Sequence, residues 1–333
     1  IKDGVLRKGM ADMRDEVNTT TDGTFKNFQG LVFTLNKLRI VNYNASTGNN
    51  YGANDGCSYQ RTGIGNGLTD AVAEGKCSSW GNPMSELYAE SLRYLAGSTA
   101  TSAMAPGTSG GDTALGLPTP PTWTDPISPS LYCSPLNVLN FNASVSSYDW
   151  NGVPTTGLAG SPNAVALTST VGTTEGLSGS VFIGENGSTD DNLCSIKAFG
   201  SLGAARGLCP EAPALEGSYL MAGLAWWAKT NKIRSTPAVP STDRQSLKVT
   251  TYGIQLATNT PKIEIPVGGG RKVSILPAYR LDKSSNGSGP FGGGAIVDFR
   301  VVSLDVANGR GKFYVNWEDS AQGGDYDQDM WGT

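Results

Sequence analysis

The C-terminal stretch 316–333 holds a dense cluster of side chains that could bind a metal ion. It reads NWEDSAQGGDYDQDMWGT, and its carboxylates are Glu318, Asp319, Asp325, Asp327 and Asp329. Carboxylate oxygens on a flexible backbone suit Ca²⁺, which takes roughly six to eight oxygen ligands and tolerates irregular geometry. The stretch therefore predicts a calcium site.

The same residues fit a second interpretation. In an extended segment, Asp325, Asp327 and Asp329 would point to one face, where three like charges repel unless a cation lies between them. In a turn, short Asp side chains accept hydrogen bonds from nearby backbone amides, and no ion is needed. The spacing matches an EF-hand loop only in part, because the terminal Glu is lacking. Calcium site and acidic turn both stay open.

The absence of histidine limits the chemistry of the chain. A Ser-His-Asp triad, a Cys-His pair and an HExxH zinc site all require that side chain. No GxxxxGK[ST] phosphate-binding loop occurs either. Glycoside hydrolysis needs only two carboxylates, so the acidic stretch leaves that one reaction open. The sequence favours a protein that binds over one that catalyses.

Composition points to a protein outside the cytoplasm. The chain has 333 residues, 44 of them Gly, with 16% charged residues and a formal charge of −4. An acidic surface argues against nucleic acid as a partner. The longest strongly apolar helix candidate, 219–228, is too short to span a membrane. The chain begins at Ile1 without a Met or a signal-peptide pattern, which indicates a processed or partial product.

Cysteine spacing agrees with an extracellular location. Cys57 and Cys77 flank one Gly-rich loop, and Cys194 and Cys209 flank another; neither pair has the CxxC spacing of a zinc or redox site. Disulfides that close these two loops are the simplest interpretation. The remaining Cys133 is either a buried thiol or bonded to sequence beyond this chain.

In residues 1–260, segments with the hydrophobic pattern of a strand alternate with segments that have the pattern of a helix. Asn82 is a candidate cap for a helix that starts at Pro83 and ends at Gly97. The other predicted elements are a short helix and a buried strand within 31–43, a strand at 131–141, a helix at 216–230 and a strand near 249–257. This order predicts an α/β domain with a doubly wound sheet over residues 1–260, with Gly/Ser/Thr-rich insertions near 44–80, 98–130 and 151–215.

From residue 261 to 333 the pattern changes. Apolar and polar residues alternate with a period of two, and Asn308-Gly309 separates the last two alternating runs. The sequence therefore predicts an antiparallel β extension that ends in the acidic stretch.

Three sequence blocks resemble the PilC/PilY family of type IV pilus tip-associated proteins. They are GNPMSELYAESLRYLAG at Gly81–Gly97, GSYLMAGLAWWAKTNKIR at Gly217–Arg234 with YGIQLATNTPKI after it, and the run NWEDSAQGGDYDQDMWG. In that family, the blocks lie between an N-terminal von Willebrand A-like domain and a C-terminal β-propeller. The resemblance implies that this chain contains part of the von Willebrand A-like domain and precedes the propeller.

The resemblance also implies a function. It implies a non-enzymatic extracellular adhesin and assembly factor at the pilus tip, which binds minor pilins and a host or abiotic surface receptor with the help of Ca²⁺. The Asp-x-Ser-x-Ser motif of von Willebrand A-like domains is absent. Ser144, Ser146 and Asp149 are then candidates for a second metal site contributed by a later loop, unless they only satisfy backbone groups.

A second hypothesis belongs to a different class. A secreted calcium-dependent glycan-binding module, or a carboxylate-type glycan hydrolase, would use aromatic rings to stack on sugars. The candidate rings are those of Trp80, Trp123, Trp150 and Trp331. Hydrolysis of glycans would separate this hypothesis from the adhesin, which predicts none.

Overall fold

A computed structural model describes much of the chain. The described residues are 12–26, 30–37, 82–100, 121–127, 129–142, 145–147, 149–150, 153–186, 190–209, 216–256, 262–275, 281–282, 291–292, 294–305, 307–319 and 330–332. For 35–37, 190–193, 281–282, 291–292, 294–298, 316–319 and 330–332, the description is of the backbone alone.

The helices and strands of these ranges follow one another along the chain. The helices are α1 (Leu31–Lys37), α2 (Met84–Leu95), α3 (Ala164–Thr174) and α4 (Leu220–Thr230). The strands are β1 (Leu136–Asn142), β2 (Ser180–Glu185), β3 (Asp190–Ala198), β4 (Val249–Gln255), β5 (Ile263–Gly268), β6 (Arg271–Ile275), β7 (Leu281–Asp282), β8 (Phe291–Gly292), β9 (Gly294–Asp305), β10 (Arg310–Asp319) and β11 (Met330–Gly332).

Helix α2 lies at the centre of the hydrophobic core. Its apolar residues recur at the helical period, so that Tyr88 and Leu92 are completely buried on one face. Its polar residues Glu86, Glu90 and Arg93 are buried as well. The helix is therefore enclosed on nearly all sides, and its charged groups need partners inside the protein.

Strands β1 and β4 form a parallel pair beside α2. Their register runs from Leu136 opposite Val249 to Asn142 opposite Gln255. The inner face of the pair joins residues of α2 and α4 in a single core cluster. Parallel strands need a crossover connection, and here the crossover between β1 and β4 carries α3, the β2–β3 hairpin and α4.

The outer face of this pair is apolar and exposed. Leu139 and Tyr252 share one register position, Phe141 and Ile254 another, and these side chains are 46–64% exposed. Both faces of parallel sheets are usually covered, but no described element covers this one. In the described part of the chain the parallel sheet has these two strands. The doubly wound, von Willebrand A-like architecture therefore stays a prediction, and the strand expected after α1 lies outside the described residues.

The start of α2 differs from the sequence-based prediction. Pro83 occupies the position before the helix, and Asn82 makes no capping hydrogen bond to it. The Asn82 side-chain amide instead donates to Asn142 Oδ1 at 2.8 Å and to the Val145 carbonyl at 2.9 Å. The prediction of an Asn82 cap is wrong, because the Ser85 N–H that a cap would accept donates to Asp149 Oδ2 instead, while the Asn82 amide donates to the loop after β1. This contact fixes the beginning of α2 at the end of β1.

Residues 151–215, which the sequence pattern marks as an insertion, contribute a helix to the core. Helix α3 packs against α4 at Gly223, where a Cβ atom would lie 2.4 Å from the backbone nitrogen of Thr168. A side chain at that position would force the two helices apart. The sequence of α3 is rich in Ser and Thr, which are unfavourable in helix interiors because their hydroxyls compete for backbone groups. In the structure these hydroxyls bond to carbonyls one turn earlier; the residues are Ser169, Thr170, Thr173 and Thr174.

The C-terminal part consists of antiparallel pairs. Strands β5 and β6 form one hairpin, and β9 and β10 form a longer one around Gly309, which has a φ of 60°. These are segments in which the sequence alternates with a period of two. Strand β11 adds to the other edge of β10, with Trp317 opposite Met330.

Candidate functional site

Asp149 is the buried polar centre of the described structure. It follows β1, is fully buried, and lies between the N-terminal ends of α2 and α4. Its Oδ2 accepts the backbone N–H of Ser85 at 3.0 Å, and its Oδ1 accepts that of Ser218 at 2.6 Å. One carboxylate therefore satisfies amide groups from two different helix starts, where unpaired N–H groups would otherwise be costly.

Three serines complete what we call the Asp149 network, formed by Ser85, Ser146, Asp149 and Ser218. The Ser146 hydroxyl donates to the Ser218 carbonyl at 3.0 Å. The Ser218 hydroxyl donates to the Asp149 carbonyl at 3.1 Å. The backbone N–H of Met221 donates to the Ser85 hydroxyl at 3.0 Å. The network connects the loop after β1 with both helices.

Burial dominates the electrostatics of this network. Removal from water raises the pKa of Asp149 to about 6, and the hydrogen bonds from Ser85 and Ser218 oppose that shift. The N-terminal ends of the two helices also favour a negative charge at this place. Asp149 is thus a carboxyl group that changes protonation state at mildly acidic pH.

A second polar cluster, the Arg206 bridge, lies next to the network. The Arg206 guanidinium forms an ion pair with Glu185 and lies 3.5 Å from Glu216 Oε1. It also covers one face of the Trp150 indole, 3.9 Å from the ring centroid. The indole N–H donates to Glu216 Oε2 at 2.8 Å. These contacts hold Trp150, the neighbour of Asp149, in one orientation.

The Arg206 bridge attaches the β2–β3 hairpin to the core. Glu185 and Arg206 exchange backbone hydrogen bonds of 2.9 and 3.2 Å. The backbone of Arg206 also forms an isolated antiparallel β-bridge with Ser218 of the Asp149 network. A disulfide between Cys194 and Cys209, with a Cα–Cα distance of 5.7 Å, closes the same region. This pair is the second of the two that the sequence indicates.

Arg234 fixes the opposite end of α2. Its guanidinium donates to both oxygens of Asp125 at 2.7 and 2.6 Å, and to the Leu95 carbonyl at 3.3 Å. Gly97 makes this approach possible: it has a φ of +72°, and a Cβ atom there would lie 2.9 Å from both Arg234 Nη1 and Asp125 Oδ2. The bidentate pair lowers the pKa of Asp125.

The acidic stretch lies largely outside the described side chains. Asp325, Asp327 and Asp329 fall outside the described residues, and Glu318 and Asp319 are described as backbone at the end of β10. The pairing of Trp317 with Met330 nevertheless brings together the two residues that flank the stretch 318–329. Among the residues that the structure describes, no group of three or more acidic or cysteine side chains is arranged to hold a metal.

The other sequence-based candidates have different outcomes. Ser144 lies outside the described residues, as do Cys57 and Cys77, whereas Ser146 and Asp149 belong to the Asp149 network. Cys133 is an exposed free thiol, so the interpretation as a buried thiol is wrong. Its position just after a short 3₁₀ helix, Pro129–Leu131, and ahead of β1 leaves it at the surface.

Sequence reasoning missed most partners of Asp149. Ser85 and Ser218 lie far from Asp149 in sequence, as Glu185 and Arg206 lie far from Trp150, and only the fold brings each group together. One signal was available: Ser85 and Ser218 stand at the beginning of the two clearest helices, where hydroxyls are common. The sequence did not indicate that Asp149 would accept hydrogen bonds from both of these residues.

The structure adds one finding about membranes. Over the described ranges, none of the helices combines the length and the apolar composition that a bilayer crossing requires.

Comparisons with known proteins identify the family. The family model described as the second domain of PilY1 homologs matches residues 1–228. A relative named type IV pilus biogenesis factor PilY1 homolog, from Xylella fastidiosa, is 28% identical over 377 aligned residues, which cover 99% of this chain and 24% of the relative. No solved structure matches the chain. Because the family model covers more than half of the chain, the protein belongs to the PilY1-homolog second-domain family.

Proposed function

We propose that this chain is part of a non-enzymatic extracellular protein that assembles the type IV pilus and binds surfaces at the pilus tip. Membership of the PilY1-homolog family carries the proposal, since the similar protein from Xylella fastidiosa is named a type IV pilus biogenesis factor. The chain spans 24% of that relative, so the role of the whole protein is part of the proposal.

The construction of the described core supports a binding protein. The disulfide between Cys194 and Cys209 suits an oxidising compartment. The Asp149 network and the Arg206 bridge both engage their carboxylates with protein donors, which is typical of a rigid scaffold. A scaffold of this kind holds a surface in a fixed shape and thereby reduces the entropy lost on binding.

Minor pilins are the partners that we propose for assembly. The test is direct: the purified chain is immobilised and titrated with the soluble domains of the minor pilins from the same organism. Saturable binding of at least one minor pilin, and no binding of the major pilin domain, would support the proposal. Absence of binding to every minor pilin would contradict it.

Ca²⁺ is the ion that we propose for the acidic stretch. Asp325, Asp327 and Asp329 would hold it, together with Glu318 and Asp319. The antiparallel pairing of β10 and β11 supports this assignment, because it closes the chain around the stretch at Trp317 and Met330. Bound Ca²⁺ would neutralise carboxylates that otherwise repel one another and would stabilise the end of the β extension.

A further inference from the structure

An open cleft lies beside the Arg206 bridge, at the start of α3. Its volume is about 330 Å³, at the lower end of the ~300–1,000 Å³ range of small-molecule sites. Its lining combines the aromatic residue Trp150 with the polar residues Thr155, Ser161 and Asn163 and with apolar residues such as Val153 and Leu220. None of these side chains carries a charge.

The aromatic ring of the cleft is held in place before any ligand arrives. Trp150 is anchored through its N–H to Glu216 at 2.8 Å, and Arg206 covers one face of the ring. Trp150 lines the cleft and Arg206 does not, so the guanidinium does not separate Trp150 from the cleft. A ring that is already fixed loses less conformational entropy when a ligand stacks on it.

Three polar residues line the same cleft as Trp150. Thr155 and Ser161 contribute two hydroxyls, and Asn163 contributes an amide whose Oδ1 already accepts the Ala166 N–H at 3.0 Å. In the described part of the chain, no protein group forms a hydrogen bond with the hydroxyls of Thr155 and Ser161. An apolar ring flanked by neutral donors and acceptors matches the surface of a sugar, which has an apolar C–H face and a rim of hydroxyls.

Backbone strain is concentrated around the same cleft. Ser161, with a φ of 43°, lines it, and Glu216, with a φ of 49°, anchors Trp150. In the described residues, these are two of three non-glycine residues with positive φ. Such conformations are unfavourable for residues with a side chain and occur often at ligand-binding sites.

From these four observations we infer that the cleft binds a neutral sugar, with Trp150 as the stacking platform. Uncharged glycans are favoured over acidic ones because the described lining is neutral, and the guanidinium of Arg206 is already engaged by Glu185 and Glu216. The inference concerns binding alone and is independent of both Ca²⁺ and pilin contacts. It goes beyond the proposed function by giving the chain a receptor class of its own.

The test uses the whole chain and a defined set of neutral sugars: cellobiose, maltose, lactose, chitobiose and mannobiose. Saturation-transfer NMR identifies the sugars that bind, and titration gives their affinities for the wild type and three variants. Trp150→Ala removes the platform and should weaken binding about tenfold. Trp226→Ala is the matched control, because Trp226 is 46% exposed on α4 and does not line the cleft.

The third variant separates binding from folding. Ser161→Gly removes a hydroxyl from the cleft and also relieves an unfavourable φ, so it should fold at least as stably as the wild type. We expect it to lose affinity although its melting temperature does not fall. The inference is overturned if no sugar in the set binds the wild type saturably. It is also overturned if Trp150→Ala and Ser161→Gly bind like the wild type, or if Trp226→Ala loses as much affinity as Trp150→Ala.

Discussion

The carboxylate of Asp149 accepts the backbone N–H of Ser218 at 2.6 Å, across 69 residues of sequence. This hydrogen bond joins the loop after β1 to the beginning of α4, and the contact from Ser85 joins the same carboxylate to α2. The arrangement of both helices around the parallel pair therefore depends on one buried side chain.

Replacement of Asp149 by Asn tests this relationship. The shape is kept, but one acceptor oxygen becomes an N–H₂ group that faces a backbone donor. We expect the free energy of unfolding at pH 7 to fall by about 1–3 kcal/mol, measured by urea denaturation. Asp305→Asn, at the exposed end of β9, is the matched control and should change stability little. Equal effects of the two substitutions would contradict the role of Asp149.

The stability of the protein should depend on pH through the same residue. The pKa of Asp149 is raised from 3.8 to about 6, so the folded protein binds this proton more tightly than the unfolded chain. Between pH 4 and 6 the contribution of Asp149 to stability must therefore decrease as the pH rises, by up to about 3 kcal/mol. The difference in unfolding free energy between wild type and Asp149→Asn should be larger at pH 4 than at pH 7. If the difference in unfolding free energy instead grows with pH, the hydrogen bonds lower the pKa of Asp149 by more than burial raises it.

Gly97 tests the contact between Arg234 and Asp125. Both Gly97 and Gly176 follow a helix and have positive φ, of +72° and +71°, but only at Gly97 does a Cβ atom meet other groups within 4 Å. Gly176→Ala should therefore cost only the backbone penalty, about 1–2 kcal/mol. Gly97→Ala should cost clearly more, because it also displaces the bidentate ion pair. Chemical denaturation of the two variants checks this, and equal losses would show that the pair is not sensitive to Gly97.

The disulfide gives a prediction about the β2–β3 hairpin. Cys194 and Cys209 close a segment with a sequence separation of 15, for which the loss of unfolded-state entropy corresponds to about 3 kcal/mol. Replacing both cysteines by Ser should lower the unfolding free energy by about 3 kcal/mol. Cys133→Ser removes an exposed free thiol and serves as the control. Unchanged stability of the double variant would argue against the bond.

Calcium binding can be measured without knowledge of any partner. Isothermal titration of the wild type and of a variant with Ala at Asp325, Asp327 and Asp329 is combined with thermal unfolding. We expect Ca²⁺ to bind and stabilise the wild type and to do neither in the variant. If neither protein binds Ca²⁺, the stretch is an acidic turn and the calcium assignment is wrong.

Local patterns predicted α2 and α4 better than the contacts around them, and they missed α3. The apolar period around Tyr88 and the small residues around Gly223 indicated α2 and α4, because both depend on short-range sequence. The cap at Asn82 was wrong because Asp149, from a loop distant in sequence, accepts the Ser85 N–H that a cap would have taken. Asp149 was recognised as a polar residue after a strand, but its partners come from two other segments. A local sequence pattern does not predict contacts between residues so far apart in the chain. Arg206 was not identified for the same reason.

The role in pilus assembly is tested most directly in the bacterium that makes the protein. The gene for the whole protein is deleted and then restored in its wild-type form, and surface pili are quantified by shearing and immunoblotting. We expect the deletion to reduce surface pili strongly while pilin synthesis stays unchanged, and the wild-type copy to restore them. Normal piliation in the deletion strain would contradict the proposed function.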